Sequence, residues 1–552
     1  MQKEAMKRLR QIILTAAVTF GFVTICVASS AQTTVNMPAK NPWLADSAYP
    51  ISHATPAATE AVAHAGPTKG RKLSVSDVKT VPNVFTSNPT VKNVGGERIA
   101  IASGVDGIRK ILATGENFEL ISFIPYPGLD ALAAKADPKA LDTALAETNA
   151  AMRAKDDAKL LALSKPMEAL GFSRAQIPNG TYNFIDKDGF HYAPFGGLKV
   201  VKSTDDNDPR GKLRIAKSRD LAPMVPDDLK ASVTHILGMA ITYQGDVAVA
   251  AGGMLFLLDR ELEPKGTLPF PGELVENDIC LDETGIYVVT SKRMLKVVWT
   301  GSKLSIDEAD GGWQSEYNTM TREQATAAGA LTISGGSGTT PTLMGFGDDP
   351  DKLVVISDAD PAGANVVAFW RDRIPDDFVQ QPGTKSRRIA GQIRTDISRV
   401  TIEPSAAVLG YGVVVLNGAY PKPVPDIWGN AFTSGISRPA PLGVQKVTWN
   451  TQTRAFEKAW INNEVDNSDV MVPAVSARSG MIYLASKTDG IYEYVGLDWM
   501  TGQIKARWPF PDDSRKWNAY GGITSILEDG DIIVGGAFAI KRVNIGDGEK
   551  VE

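Results

Sequence analysis

The sequence predicts an all-β protein, a β-propeller of seven or eight blades with a helical insertion and an extended N-terminal leader. Residues 240–299 hold two successive pairs of short apolar strands, each opened by a turn, at Gly245 and Gly285. Short β-rich strands that are joined by Gly/Asp turns and recur at a period of about 40 residues are typical of propeller blades. The same pattern of a turn followed by an apolar strand recurs along the chain, and a Pro-aromatic-Pro motif is repeated.

The N-terminus predicts an export signal over residues 1–31. Basic residues, among them Arg8 and Arg10, precede an apolar run from Ile12 to Ala28, and small residues follow up to Ala31. This order is that of a secretory signal peptide with its cleavage site. We therefore expect a periplasmic or secreted bacterial-type protein. An uncleaved anchor is the alternative, and a membrane is expected as a partner only in that case.

Charge and cysteine content restrict the partners and the covalent chemistry. Loss of residues 1–31 removes four basic side chains and one acidic side chain, which changes the net charge from −5 to −8. An acidic surface repels phosphate backbones, so nucleic acid is excluded as a partner. Beyond residue 31 the chain contains one cysteine, Cys280, which is expected to be a small buried hydrophobic residue in a strand.

Two segments depart from the β pattern. Residues 32–78 are rich in Ala, Pro, Thr and Ser, and we interpret them as an extended low-complexity leader that lies on the surface or is partly mobile, ahead of a propeller over residues 79–552. Residues 129–171 predict a helical insertion, since Asp137-Pro138 is a favourable helix start and a second helix should end at Gly171. The insertion could be a lid, a docking surface or a tolerated insert.

Eight turn-and-strand units indicate the blades. The predicted number of blades is seven or eight, because one of these units could be the outer part of a neighbouring blade. The turns that open them are at Gly96, Gly189, Gly245, Gly285, Lys352, Gly412, Gly480 and Gly530.

Three near copies of a motif support the same architecture. The motifs begin at Pro125, Pro269 and Pro509, and each should end an outer strand, where proline is tolerated because it cannot donate to the ladder. If the copies are equivalent, the segments that follow them leave from one face. That face is therefore expected to carry the functional loops.

One family resemblance lies in residues 476–508, SARSGMIYLASKTDGIYEYVGLDWMTGQIKARW, with its Gly-rich turn, "LD…TG" and tryptophan. This stretch resembles the repeat of the quinoprotein-like (PQQ-repeat-like) propellers. The resemblance implies eight blades and, in the family's enzymes, pyrroloquinoline quinone with calcium. The chain lacks the adjacent cysteine pair of the alcohol dehydrogenases and any C-x-x-C-H haem site, so the quinone is disfavoured and no haem is expected.

A second resemblance begins at Glu276-Asn277-Asp278, which is similar to the start of a strand in gluconolactonase- and paraoxonase-like propellers. It implies that Asn277 is a calcium ligand with Glu276 and Asp278 beside it. Asn467 and Asp469 stand at the equivalent offset before Gly480. Such oxygen ligands suit calcium. Alternatively, these residues simply close loops before strands.

Other candidates rest on residue type alone. His235, just before a blade strand, is a weak candidate for a catalytic base, whereas His191 is expected to be half-buried in a strand and His53 and His64 to be solvated. A loop with two cations and two aromatic residues has the composition of a recognition surface, although an aromatic plug between blades would look the same. Its candidate ligand-binding residues are Arg515, Lys516, Trp517 and Tyr520.

Three functions follow from these patterns, and whether the protein is an enzyme is left open. The first is a ligand- or protein-binding, or scaffold, module that uses the rim and the axial funnel to bind a small molecule or a protein. The second is a calcium-supported hydrolase of the lactonase or esterase kind. The third is a quinoprotein-like oxidoreductase. The binding module leads because no catalytic set is complete.

Overall fold

Eight sheets arranged around an axis make up the fold. The computed structural model describes residues 35–163, 178–327, 336–398, 402–424 and 427–545. In each sheet the strands that follow one another in the chain pair antiparallel, except that the last two strands of the fourth sheet both pair with its third strand. First strands of successive sheets contact each other in six of the eight steps around the ring. This is an eight-bladed β-propeller, which confirms the predicted fold class and fixes the number of blades at eight.

The blades are numbered here in chain order, from the axis outwards. Blade 1 comprises Thr90–Val94, Glu97–Ser103, Gly107–Leu112 and Glu119–Pro125, and blade 2 comprises Phe184–Ile185, His191–Phe195, Lys199–Thr204 and Arg214–Asp220. Blade 3 comprises Ile236–Ile241, Val247–Ala251, Met254–Leu258 and Pro264–Pro269, and blade 4 comprises Cys280–Asp282, Gly285–Val289, Arg293–Trp299 and the outer strands Leu304–Ser305 and Trp313–Glu316. Blade 5 comprises Thr342–Met344, Leu353–Asp360, Gly363–Trp370 and Ile389–Arg394, and blade 6 comprises Ala407–Leu409, Gly412–Leu416, Leu442–Asn450 and Ala455–Asp466. Blade 7 comprises Ala474–Ser476, Met481–Thr488, Ile491–Asp498 and Ile504–Pro509.

Blade 8 joins the two ends of the propeller. Its first three strands, Ser525–Ile526, Ile532–Val534 and Phe538–Val543, come from the end of the chain. Its outermost strand is Val78–Asn83, which pairs antiparallel with Phe538–Val543. The first strand that the sequence predicts, from about Lys79, is therefore the strand that closes the ring.

The eight predicted turns each precede the second strand of a different blade. These strands are almost entirely buried, as in Val247–Ala251 and Gly412–Leu416, because blades pack on both of their faces. The Pro-aromatic-Pro motifs also lie where the sequence predicted. Pro125, Pro269 and Pro509 are the last residues of the outermost strands of blades 1, 3 and 7.

Residues 36–70, which we call the axial segment, cross the central channel of the propeller. The expectation that the leader lies on the surface was wrong, because most of residues 41–67 are buried. Side-chain or backbone hydrogen bonds connect the segment with the first strand of every blade. Backbone N–H groups of six first strands donate to its carbonyls: Val91 to Tyr49, Ile185 to Pro50, Leu281 to Pro56, Leu343 to Ala57, Val408 to Thr59 and Val475 to Glu60.

The remaining two blades are reached by side chains. Asn41 Nδ2 donates to the carbonyl of Ile241 at 2.8 Å, and His64 Nε2 lies 2.8 Å from the carbonyl of Ile526. Residues Ala61–Val62 also add a short parallel strand to blade 7. The Pro- and Ala-rich axial segment can thus be buried, since the inner strands supply N–H donors that pair with the carbonyls of the segment.

The helical insertion follows blade 1 and comprises the helices Asp130–Ala133, Pro138–Arg153 and Asp157–Leu163. Asp137 caps the long helix by accepting from Ala140 N at 2.8 Å, as predicted. Most of the predicted remainder up to Gly171 lies outside the described residues, as does the predicted signal peptide. Further short helices are Arg322–Ala327 and Ile427–Thr433, and the 3₁₀ turns are Val75–Asp77, Ala134–Ala136, Ala222–Met224, Asp227–Leu229, Glu308–Asp310 and Arg515–Trp517. Over the described ranges, helices that combine the length and the apolar character needed to span a bilayer are not found.

Candidate functional site

A pocket of about 160 Å³ opens beside the axis, among the loops that precede the first strands. We call it the axial pocket. Six of the eight blades contribute to its walls: Thr86 and Asn88 (blade 1), Thr181 and Tyr182 (blade 2), Asn277 (blade 4), Glu403, Pro404, Ser405 and Ala431 (blade 6), Val470 and Val472 (blade 7), and Tyr520, Gly521 and Ile523 (blade 8). Sites formed by several blades at the axis are where a propeller brings distant parts of its chain together.

Asn277, predicted as a metal ligand, lies in the wall of this pocket. Its Nδ2 donates to the carbonyl of Gly338, and its Oδ1 accepts from the hydroxyl of Tyr182 and from Thr340 Oγ1, at 3.2 Å for the latter. The amide thus uses both of its ends to connect the loops before blades 2, 4 and 5. Such an amide orders the pocket wall and leaves little hydrogen-bonding capacity for a ligand.

Asp278 lies behind Asn277 and holds the neighbouring blade. Its Oδ1 accepts the N–H of Met239 in blade 3 at 2.9 Å and that of Ile279 at 2.8 Å. Its Oδ2 faces Nε2 of His53, at 3.9 Å. The carboxylate therefore connects two first strands with the axial segment.

His53 and Glu60 form a fully buried pair within the axial segment. Nδ1 of His53 contacts Oε1 of Glu60, and Nε2 lies 3.3 Å from Thr340 Oγ1. The ring stacks on Tyr182, which lines the pocket. His53 had been expected to be solvated, but it is 1% exposed. His53 is buried for the same reason as the rest of the axial segment, because the inner strands of the blades enclose it.

Burial shifts the titration of these groups. It raises the pKa of Asp278 to about 7, although the positive charge of His53 acts in the opposite direction. Burial also raises the pKa of Glu60, whereas for His53 the neighbouring carboxylate of Glu60 outweighs burial and raises the pKa. The three buried groups lie close enough to titrate as one coupled set.

The second predicted pair, Asn467 and Asp469, shapes another wall of the pocket. Asn467 Nδ2 donates to the carbonyl of Gly443 at 2.7 Å, while Asp469 pairs with Lys487 at 3.0 Å and accepts from Ala519 N at 2.8 Å. These contacts hold a turn in which Val470 has φ of 51°. A β-branched residue rarely adopts a left-handed conformation, so this turn holds strain where it faces the pocket.

Three of the four residues in the two pairs already accept hydrogen bonds. Asn277, Asp278 and Asp469 each accept hydrogen bonds from the protein, and Asp469 lies against a cation. Glu276 stands nearby and contacts Arg322 at 3.5 Å, and burial raises its pKa to about 7. Across the described ranges, no group of three or more His, Cys, Asp or Glu side chains is placed to hold a metal ion. This donor set does not suit the six to eight oxygen ligands of calcium.

Aromatic residues make the opposite wall. Tyr520, predicted as ligand-binding, stacks on Phe432 with ring centroids 4.9 Å apart and lies 6.1 Å from the ring of Phe85. Leu141 of the helical insertion packs into the same apolar cluster. The insertion thus supports the aromatic wall from outside.

The other members of the predicted ligand-binding loop do not line the pocket. Trp517 is buried and stacks on Phe510 at 5.4 Å, and Nζ of Lys516 lies 4.4 Å from the ring of Trp517. Arg515 is fully buried next to Phe432. The packing of Trp517 thus fits the alternative interpretation, an aromatic plug between blades.

The two remaining histidines lie away from the pocket. His235 is half-buried, its Nδ1 is 2.9 Å from Thr234 Oγ1, and burial lowers its pKa. His191 is fully buried in blade 2, with Nε2 at 2.9 Å from Ser103 Oγ, and burial lowers its pKa to about 3. His191 is therefore a neutral core residue, more deeply buried than the sequence suggested.

Sequence reasoning missed His53, Glu60 and Tyr182. The first two lie in the segment that was interpreted as a surface leader, and Tyr182 precedes blade 2 in a stretch without a recognisable motif. A usable signal was present, because His53 and Glu60 are a titratable pair in a stretch otherwise made of small residues and proline.

Comparisons with known proteins describe the fold. No family model matches the sequence. A protein of Archaeoglobus fulgidus, itself described as uncharacterized, is 27% identical over 332 residues, which cover 56% of this chain and 61% of that protein. The match thus spans less than two thirds of the relative's length.

Among solved structures, the quinohemoprotein alcohol dehydrogenase of Comamonas testosteroni has a TM-score of 0.49 at 11% identity, covering 93% of this chain and 82% of that one. The dehydrogenase ADHIIG of Pseudomonas putida HK5 has a TM-score of 0.47 at 10% identity, with coverages of 92% and 81%. Sqt1 of Saccharomyces cerevisiae has a TM-score of 0.36 at 9% identity, with coverages of 62% and 76%. At these identities and TM-scores the similarities carry no argument about the family or the activity of this chain.

Proposed function

We propose that the protein is a binding module whose axial pocket takes up a small, mainly apolar organic molecule. The observation that carries the proposal is the pocket itself, a concave site beside the axis that six blades build together. Pockets of this kind, with apolar walls and few convergent polar groups, are the usual ligand sites of globular proteins.

Several polar groups of the walls are already bonded within the protein, which supports a ligand with few polar atoms; the carboxylate side chain of Glu403 also lines the pocket. Asn277 and Tyr182 bond to each other and to the protein. Asn88 donates to the carbonyl of Thr181 at 2.7 Å and accepts from Ile523 N at 2.9 Å. A ligand gains little from groups that are already satisfied, so the aromatic and aliphatic walls supply the affinity.

The strained turn at Val470 supports the same interpretation. Asn467 and Asp469 keep this residue in the left-handed region at the pocket wall, which costs folding free energy of order 1–3 kcal/mol. Strained backbone persists where the surrounding structure fixes it, and such positions cluster at binding sites.

A filled pocket provides the test. Ala431 lies in the wall on the helix Ile427–Thr433, so Ala431→Phe should occupy the cavity. Small aromatic and alicyclic compounds are screened for an increase of the melting temperature, and hits are measured by calorimetry. Compounds that bind the wild type should bind Ala150→Phe, an exposed helical control, equally well, and should fail to bind Ala431→Phe. Binding that Ala431→Phe leaves unchanged would contradict the proposal.

A hydrolase is the second candidate, favoured by one observation. His53 lies between Glu60 and Thr340 Oγ1 directly behind Tyr182, an order of carboxylate, imidazole and hydroxyl that can move a proton. We propose no calcium-dependent step. The test is hydrolysis of a panel of esters and lactones. Turnover by the wild type that is abolished in His53→Gln, at unchanged stability of the variant, would support this candidate. If the wild type hydrolyses no compound of the panel, the candidate is removed.

We also propose that the protein acts in the periplasm or outside the cell. The basic and apolar pattern of residues 1–31 supports this location. Cell fractionation with mass spectrometry of the N-terminus checks it, and a mature chain that begins near Gln32 is expected.

A further inference from the structure

Arg515 is a buried cation without a counterion in the described part of the chain. Its side chain is 0% exposed. Nη2 donates to the carbonyl of Phe432 at 2.7 Å, whereas Nε and Nη1 have no hydrogen-bond partner. Among the described residues, no carboxylate forms an ion pair with this guanidinium. A buried charge in this state is costly unless another group pairs with it.

The side chains around Arg515 include a second polar group without a partner. The rings of Phe432 and Tyr492 each lie 5.1 Å from Cζ. Tyr492 is 1% exposed, and its hydroxyl also lacks a partner. The positive charge of Arg515 acts on this hydroxyl and lowers its pKa, against the stronger effect of burial. The two side chains thus offer N–H and O–H donors to one region.

The nearby acidic groups restrict what could bind. Asp469 is neutralised by Lys487 at 3.0 Å, whereas Asp466 has one oxygen, Oδ2, without a hydrogen-bond partner. Both carboxylates act on the hydroxyl of Tyr492. A monoanion can therefore balance Arg515, while a dianion would also meet the uncompensated charge of Asp466.

A groove of about 700 Å³ runs between the helix Pro138–Arg153 and loops of blades 6 and 7. Gly435 and Gly490 in its lining are three and two residues away in sequence from Phe432 and Tyr492. The lining also holds three cations, Arg153, Lys155 and Arg438, and two carboxylates, Asp489 and Asp513, which leaves one net positive charge.

We propose that Arg515 and Tyr492 form a binding site for a small monovalent anion, a carboxylate group, that enters from this groove. The guanidinium would donate from Nη1 or from Nε, which lie on different edges of the group, and the tyrosine hydroxyl would add a second donor. This site is separate from the axial pocket and does not depend on the function proposed for it.

Trifluoroacetate, followed by ¹⁹F NMR, is the probe. Wild-type protein should broaden the fluorine signal in a saturable way, and formate should compete with it. Arg515→Met should abolish saturable broadening, and Tyr492→Phe, which keeps the ring, should weaken binding at least threefold. Lys516→Met is the matched control, because it removes one positive charge from the adjacent residue; it should retain binding within twofold.

Several results would overturn the proposal. They are a wild type without saturable broadening, binding that survives Arg515→Met, and inorganic phosphate competing better than formate. If Arg515→Met does not fold, Tyr492→Phe decides, since unchanged affinity in that variant contradicts the site. A crystal soaked in bromide provides an independent readout, with an anomalous peak expected beside Nε or Nη1; ordered water at both donors would contradict the proposal.

Discussion

Tyr182 stacks on His53 with ring centroids 5.3 Å apart and an angle of 26° between the ring planes. One of these residues lines the axial pocket and the other belongs to the axial segment. The contact therefore connects the pocket to a chain segment that touches every blade. Changes in the segment should therefore affect the pocket.

Asn277→Ala should destabilise the protein with or without calcium. The substitution leaves the carbonyl of Gly338 and the hydroxyl of Tyr182 without their partner, which costs about 1–3 kcal/mol of unfolding free energy. Urea unfolding in millimolar calcium and in chelator measures it. Asn36→Ala, at an exposed residue that bonds to Asp349, is the control and should change little. A loss seen only in calcium would instead support a metal at Asn277.

Asp278→Asn should increase stability at alkaline pH. Burial raises the pKa of Asp278 from 3.8 to about 7, so the wild type favours the protonated form. The stabilising effect of that proton is complete below about pH 4 and is lost as the pH rises through 7. The variant keeps the acceptor for Met239 and has no such loss, so its advantage should grow over this range, to roughly 4 kcal/mol at most.

Unfolding free energies at a series of pH values check this prediction. Asp46→Asn, whose side chain is 91% exposed, should follow the wild type throughout. The pKa of Glu276 is also raised to about 7, so some pH dependence should remain in Asp278→Asn. If the two curves of wild type and Asp278→Asn run parallel from pH 4 to 8, Asp278 is not the titrating group.

Ala54→Gly should be tolerated, and Ala57→Gly should not. Ala54 has φ of 66°, a conformation that costs an L-residue about 1–2 kcal/mol and costs glycine almost nothing. That relief offsets the extra freedom that glycine has in the unfolded chain. Ala57 lacks the left-handed conformation, so glycine there brings only the entropic loss and the loss of a buried methyl group.

The two glycine variants are compared by urea unfolding, and Ala54→Gly should be the more stable by about 1–2 kcal/mol. Equal stabilities would show that the axial segment does not hold Ala54 in the strained conformation in solution.

Much of the propeller could be predicted from sequence because its second strands are distinctive. Strands such as Val247–Ala251 are buried on both faces and follow a glycine turn, so they stand out as apolar runs. The first strands, such as Phe184–Ile185 and Ser525–Ile526, are too short to give any periodicity. The closing strand Val78–Asn83 was seen as a strand, but its pairing with Phe538–Val543 depends on contacts across the whole chain.

The candidate site could be predicted only in part. Asn277 and Tyr520 were singled out and do line the axial pocket, because polar and aromatic residues in the loops before the first strands are visible in sequence. The roles of Asp278 and Asn467 depend on backbone partners in neighbouring blades, which one sequence does not reveal. The burial of His53 could not be foreseen, since eight separate strands create it.

Blade 8 is built from strands that are far apart in the sequence, and this affects folding during synthesis. Val78–Asn83 leaves the ribosome long before Phe538–Val543, so the ring stays open until the last strands of blade 8 have been made. The axial segment is made earlier still, and its hydrogen-bond partners are spread over all eight blades. Pairings of such sequence separation fold slowly, and the unfinished chain exposes apolar edges. The protein should therefore need a chaperone to hold it until its last strand arrives.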